Sequence, residues 1–191
     1  MPTQPNSAAQ SAAKSRFTIA SAAWRGLTDV QRAAWNAFSD SFTVTNSLGA
    51  QIHLTGAQCF VKVNCVNSLV GDAAALVPPA LPAFVANVVL GIGSLTAAPL
   101  FKLSASAAAG NTKIMLYASP QLSAGVSYNG KWAYIGLLPL PAAGVSDIEA
   151  LYAAKYGVPI LGKRIFVLAI QSQAGMQDNG IHYTGVVAAG A

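Results

Sequence analysis

Two kinds of sequence pattern meet in this chain at one proline-rich stretch, Val77-Pro78-Pro79-Ala80-Leu81-Pro82. Before it, apolar residues recur at helical spacing, and after it they occur in short runs separated by turn residues. Proline-rich linkers act as semi-rigid spacers. We therefore predict a linker at residues 72–82 between one part at residues 1–71 and a second part at residues 83–191.

The N-terminal pattern predicts two helices. Asn6 or Ser7 can cap the first, and Gly26 ends it. Its apolar stripe consists of Ala13, Phe17, Ala20 and Trp24. A capping box opens the second helix, in which the side chains of Thr28 and Gln31 bond each other's backbone amides. We expect this helix to run to about Phe38, with an apolar stripe of Val30, Ala34 and Phe38.

A hairpin and a third helix complete the first part. Residues 42–46 and 51–54 alternate around the turn Ser47-Leu48-Gly49, which predicts two paired strands. A second capping box at residues 55–58 opens a helix that Gly71 ends. On that helix Cys59 and Cys65 would lie ~9 Å apart along the axis, which is too far for a disulfide. We predict free, buried thiols.

The C-terminal pattern is that of a small β-sandwich. Strands are predicted at residues 83–91, 100–106, 113–118, 131–138, 164–170 and 181–188, with turns such as Gly110-Asn111 between them. One short helix at residues 147–156, capped by Ser146 and ended by Gly157, is expected to cross an edge. The fold class predicted for the whole chain is α+β.

Composition limits the classes of function. The 191 residues include 53% hydrophobic and only 9% charged side chains, with a net charge of +5. Ordinary domains carry roughly 25% charged residues, so long disordered segments are excluded and much of the surface must consist of small residues suited to packing against other chains. The basic residues are not clustered, and we expect no nucleic-acid binding. Prolines interrupt the uncharged residues 73–101, and we expect no membrane span.

No motif for chemistry stands out. Asp147 and Glu149 fall in the first turn of the short helix, where acidic residues favour the helix dipole. His53 and His182 have no metal-ligating residue at a suitable spacing. Gly91-Ile92-Gly93 lacks the third glycine of a dinucleotide-binding loop. We predict no catalytic, cofactor-binding or metal-binding residues, no cofactor and no small-molecule substrate.

Tryptophan and arginine residues of the first part are the candidates for an interface. The candidates are Arg16, Trp24, Arg25, Arg32 and Trp35. Two interpretations remain open. The two tryptophans can pack the N-terminal helices together, with Trp132 in the sandwich core. Alternatively the small helical pair docks on the rest of the chain or on a neighbouring subunit, because so few residues rarely bury enough surface alone and Trp and Arg are enriched at interface hot spots.

Several of these residues carry a resemblance to a known family. Residues 9–35 resemble the N-terminal segment of a family of uncharacterised bacterial and phage-type structural proteins, whose members share an AQ…RF…WxxLTxxQRxAW pattern. The matching residues are Ala9-Gln10, Arg16-Phe17, Trp24-Arg25-Gly26-Leu27-Thr28 and Gln31-Arg32-Ala33-Ala34-Trp35. Residues 54–64 and 156–167 are also similar, the latter inside what resembles an immunoglobulin- or fibronectin-III-like domain, whereas Lys14 and Cys59 depart from the pattern. The resemblance implies a virion context and no catalytic residues.

These observations together favour a non-enzymatic structural component of a bacteriophage virion, such as a capsid decoration, head or tail protein. Its expected partners are other virion proteins and copies of itself. Residues 1–14 show no signal-peptide pattern, so we expect assembly in the bacterial cytoplasm. The alternatives are a host-encoded surface module that binds a glycan or protein through an immunoglobulin-like domain, and an enzyme.

Overall fold

The computed structural model describes residues 7–46, 48–82, 84, 91–92, 102–105, 113–138 and 144–187. The chain divides into two compact units. The first comprises Met1–Pro82 with Ala174–Met176, and the second comprises Ala83–Gln173 with Gln177–Ala191. The turn predicted at Gly110-Asn111 and most of the strand predicted at residues 83–91 lie outside the described residues.

Three helices form most of the first unit, and each begins with a capping box. They are α1 at Ala8–Arg25, α2 at Asp29–Ser41 and α3 at Gly56–Val70. The capping residues are Ser7, Thr28 and Thr55, whose side chains each accept a hydrogen bond from the backbone of the glutamine three residues later. The two predicted boxes are confirmed. Gly71 ends α3 in the left-handed conformation, with φ of 74°, as its position predicts.

The predicted hairpin is confirmed between α2 and α3. Strand β1 at Thr43–Thr45 pairs antiparallel with β2 at Gln51–His53. The Asn46 side-chain oxygen accepts hydrogen bonds from the backbone amides of Leu48 and Ala50, at 2.9 and 3.0 Å, and so fixes the turn.

The core of the first unit is built around one phenylalanine of α3. Phe60 is 1% exposed and meets the ring of Trp35 edge-on at 5.4 Å and the ring of Trp24 at 5.5 Å. Both tryptophans therefore pack on α3. The predicted stripes are only partly correct, because Phe17 and Val30 are 60% and 79% exposed.

The segment that precedes the prolines is tied to the helices. The Trp35 indole Nε1 donates to the backbone oxygen of Leu76 at 3.1 Å. Buried Asn64 donates to the carbonyl of Ala75 at 3.1 Å and accepts from its amide at 2.7 Å. Residues 75–76 of the predicted linker are thus held within the first unit.

The described residues after Pro82 form two sheets and one helix. In chain order the remaining elements are β3 at Gly91–Ile92, β4 at Lys102–Ala105, β5 at Lys113–Ala118, β6 at Leu122–Ser123, β7 at Ala133–Leu137, β8 at Gly144–Asp147, α4 at Glu149–Tyr156, β9 at Lys163–Gln173, β10 at Met176–Gln177 and β11 at Ile181–Val186. The strand order is β3-β4-β8 in one sheet and β10-β9-β5-β7 in the other, where β6 and β11 also pair with β9. The α+β class is confirmed.

The core of the second unit lies between the larger sheet and α4. Alternate residues of β5 and β9, including Leu116 and Val167, are fully buried. Tyr152 and neighbouring Ile148 pack against them, 0% and 1% exposed. The helix therefore covers an inner sheet face, whereas the sequence placed it across an edge.

Three local predictions are wrong or incomplete. Ser146 does not cap α4, because it lies in β8 and pairs with Leu103 of β4. Trp132 does not belong to the buried core, since it is only half-buried and meets the ring of His182 at 5.3 Å. The strand predicted at residues 164–170 is confirmed but extends over Lys163–Gln173.

Candidate protein-interaction surface

An open groove of about 560 Å³ runs between α1 and α3 within the first unit. We call it the α1–α3 groove. Its lining residues are Phe17, Ser21, Trp24, Ala57, Gln58, Val61, Lys62, Cys65 and Val66. Most of these side chains are apolar, so the groove offers a partner an apolar surface with a polar margin.

The helical repeat explains how two elements form this surface. On α1, Phe17, Ser21 and Trp24 are separated by four and three residues and therefore share one face. On α3, Ala57, Val61 and Cys65 follow one another at intervals of four. Another side of α3 packs Phe60 into the core, whereas Ala57, Val61 and Cys65 on the groove side are half-buried.

Exposure differs among the aromatic rings of the groove. Phe17 is 60% exposed, whereas Trp24 is half-buried because its ring packs against Phe60. Leaving an apolar side chain in water forgoes about 25 cal/mol for each Å² that could be buried. A partner that covers Phe17 and the open face of Trp24 would recover that free energy.

The charge of the groove is weak. The Lys62 ammonium lies 5.1 Å from the centre of the Phe42 ring, a cation–π geometry. Burial lowers the pKa of Lys62, and the nearby Cys59 opposes this shift. Burial raises the pKa of Cys65, partly offset by Arg16, so this thiol is uncharged at neutral pH.

The five interface candidates lie in different surroundings. Trp24 lines the α1–α3 groove, and Arg25 is exposed at the end of α1. Half-buried Arg16 lines another cavity of about 410 Å³ beside α1. Arg32 donates to the carbonyl of Arg25 at 2.8 Å and pairs with Asp29 at 3.4 Å. Trp35 is 0% exposed, so its side chain belongs to the core of the unit and is closed to a partner.

Sequence reasoning missed the contribution of α3 to the groove. Val61 and Cys65 were not selected, although apolar residues occur on more than one side of this helix. A helix that is hydrophobic all round is usually covered on all sides. The apolar residues on more than one side of α3 therefore indicate that this helix needs contacts beyond α1 and α2.

Both cysteines are free, as predicted; Cys59 is buried and Cys65 is half-buried. Within the described part of the chain, no three His, Cys, Asp or Glu side chains come together as a metal site. In those same residues, no helix is long and apolar enough to span a bilayer.

Comparison of this chain with models of known protein families, with curated proteins and with solved structures gives no match.

Proposed function

We propose that this protein is a non-enzymatic structural component of a bacteriophage virion, a capsid decoration, head or tail protein, that acts through protein–protein contacts. In this proposal it is assembled in the bacterial cytoplasm and ends in the particle, beside other virion proteins and copies of itself. The observation that carries the proposal is the α1–α3 groove, which contains the exposed ring of Phe17 and the half-buried ring of Trp24.

The occupant that fits the groove is the apolar face of a helix from a neighbouring virion subunit. Helix-in-groove recognition uses apolar anchors that fall into a hydrophobic cleft. Trp24 supports this because tryptophan is enriched among the residues that dominate interface energies. The surroundings of Lys62 and Cys65 support an apolar partner over an acidic one, because Lys62 already faces the Phe42 ring and the thiol is uncharged.

The virion context is supported by the sequence. The resemblance covers Trp24, Arg25, Arg32 and Trp35, and the 9% charged composition suits a surface that is covered in an assembly. As a finer proposal, the second unit is an immunoglobulin- or fibronectin-III-like domain. Two antiparallel sheets in one unit support it, while the position of α4 on the core of the larger sheet is not part of that pattern.

Incorporation into particles tests the proposed function. Phage particles are purified from cells that supply the chain as wild type, as Phe17→Asp or as Val30→Asp. Phe17 lines the groove, whereas Val30 is 79% exposed on α2 and is the matched control. We expect Phe17→Asp to lower incorporation at least tenfold and Val30→Asp to leave it unchanged. Absence of the wild-type chain from purified particles, or equal incorporation of both variants, would contradict the proposal.

A further inference from the structure

A second cavity lies wholly within the second unit, on the side of the larger sheet away from α4. Its volume is about 330 Å³, at the lower end of the range for small-molecule sites. It is lined by Ser127, Tyr128, Asn129, Trp132, Phe166, His182, Tyr183 and Thr184. We call it the aromatic cavity.

The strand register places this cavity on the outer face of the sheet. His182 is opposite Leu168 and Thr184 is opposite Phe166 in the β11–β9 pair. Side chains alternate between faces along a strand, and the intervening residue of β9, Val167, is buried in the core. His182 and Thr184 are both exposed, so the register directs them to the solvent side.

Two hydrogen bonds stabilise the turn that completes the cavity. Asn129 is 8% exposed; its amide donates to the carbonyl of Lys131 at 2.7 Å and accepts from the amide of Lys131 at 3.1 Å. These bonds fix the turn between Tyr128 and Trp132.

The rings form an open aromatic surface. Tyr128 is 78% exposed, the largest exposed fraction among the aromatic residues that the structure describes. Trp132 is half-buried and meets His182 at 5.3 Å with an angle of 63° between the rings. An aromatic ring carries negative charge density on its face, which attracts weakly positive C–H groups.

The lining of the cavity offers hydroxyl, amide and imidazole groups. No Asp, Glu, Lys or Arg occurs among the eight described residues that line the cavity, and four of them carry a hydroxyl group: Ser127, Tyr128, Tyr183 and Thr184. A ligand with one flat C–H face and hydroxyls at its rim, which needs no ion pair, suits this lining. A pyranose ring has this chemistry: its C–H face packs on an aromatic ring, and its hydroxyls bond Ser or Thr.

We propose that the aromatic cavity binds a neutral hexose unit of a glycan. A stacked nucleobase fits less well, because nucleic-acid sites combine aromatic rings with cations for the phosphates. Binding by one sugar-sized site is weak. Several copies in one particle would raise the avidity by roughly 10²–10⁴-fold if they engage one glycan surface together.

Titration of the full chain with defined ligands tests this proposal. The probes are neutral tetrasaccharides of glucose, mannose, galactose and N-acetylglucosamine. Binding of each tetrasaccharide is measured by saturation-transfer NMR. A proline decapeptide and a thymidine octanucleotide are titrated in the same way, because aromatic surfaces also bind proline-rich peptides and single-stranded nucleic acid. We expect saturable binding of at least one tetrasaccharide, with transfer to ring C–H protons, and weaker binding of both other probes.

Substitutions in and outside the cavity locate the binding site. Tyr128→Ala and Trp132→Ala are each expected to lower affinity for the tetrasaccharide at least tenfold. Thr184→Val keeps the side-chain volume and should lower affinity about threefold through loss of a hydroxyl. Phe17→Ala removes an exposed aromatic ring from the first unit and serves as the control, with unchanged binding expected. Because Tyr128 is exposed, its variant should melt at the wild-type temperature.

The outcomes distinguish this proposal from the assembly function. Tyr128→Ala should enter particles as the wild type does, while Phe17→Asp should lose incorporation and keep sugar binding. The glycan proposal is overturned if no tetrasaccharide binds saturably, if Tyr128→Ala binds as tightly as the wild type, or if the proline peptide or the oligonucleotide binds more tightly than every sugar.

Discussion

The cores of the two units differ in their share of aromatic rings. In the first, Trp35 and Phe60 form the centre of the core, and aliphatic side chains such as Ile19 and Val30 are exposed. In the second, the core at β5 and β9 is mainly aliphatic, while the exposed Tyr128 stands on the outer side. A few helices cannot cover all their apolar residues, whereas a sheet separates two faces by alternation. The α1–α3 groove of the first unit therefore suits an apolar protein partner, and the aromatic cavity of the second unit suits a small amphipathic ligand.

The largest expected effect concerns the aromatic centre of the first unit. Trp35→Ala removes a fully buried ring that contacts Phe60 and donates a hydrogen bond to Leu76. Such truncations lower the free energy of unfolding by roughly 3–5 kcal/mol. We therefore expect the backbone amides of helices α1, α2 and α3 to lose protection from hydrogen exchange, while those of β5 in the second unit stay protected. Trp24→Ala, at a half-buried position, should have a clearly smaller effect. Equal loss of protection in both units would show that they do not unfold separately.

A smaller effect is expected where α2 and α3 approach closely. Gly56 is buried, and a Cβ atom there would meet the side chain of Asn36 and lie 2.8 Å from its backbone nitrogen. Because backbone cannot yield as a flexible side chain does, Gly56→Ala should destabilise the first unit by roughly 1–3 kcal/mol. Urea unfolding measures this change.

Gly26→Ala is the matched control for that substitution. The nearest atom to its added Cβ would be the Ala23 carbonyl oxygen at 3.6 Å, an ordinary contact. We expect a change within about 0.5 kcal/mol. A Gly56→Ala variant as stable as Gly26→Ala would contradict the close approach of the two helices.

Local signals predicted local structure well. The boxes at Thr28 and Thr55 and the end of α3 at Gly71 depend on neighbouring residues alone, and they are correct. Ser146 also has the chemistry of a cap, but pairing with Leu103 of a distant strand places it in β8. Local propensity cannot reveal that competition, because the partner strand is more than forty residues away.

The candidate surfaces were harder to predict than the elements. Trp24 lines the α1–α3 groove, but the contribution of Val61 and Cys65 depends on which side of α3 faces the core. Trp132 was expected in a core because large aromatic residues usually are buried. It contacts the ring of His182, a residue far from it in the chain that the β9–β11 register places on the outer face.

The smallest expected effect concerns one hydroxyl of the second unit. Tyr152 is 0% exposed, and its hydroxyl donates to the carbonyl of Ser119 at 3.0 Å. Tyr152→Phe removes this bond, and we expect a loss of about 1 kcal/mol near neutral pH. Tyr156→Phe removes a similar bond to Ala118 from a half-buried ring and should cost less.

The pH dependence of the same variant gives a second measurement. Burial raises the pKa of Tyr152, and the neighbouring Tyr156 adds to the shift. A phenol whose pKa is higher in the folded state stabilises the fold fully below its unfolded pKa of about 10, and this contribution is lost as the pH rises above that value. The free energy of unfolding of the wild type should therefore fall more steeply than that of Tyr152→Phe above about pH 10. Because phenylalanine has no proton to lose, the 1 kcal/mol deficit of the variant should narrow there. Parallel pH profiles of the two proteins in urea unfolding would show that the Tyr152 hydroxyl is not buried as described.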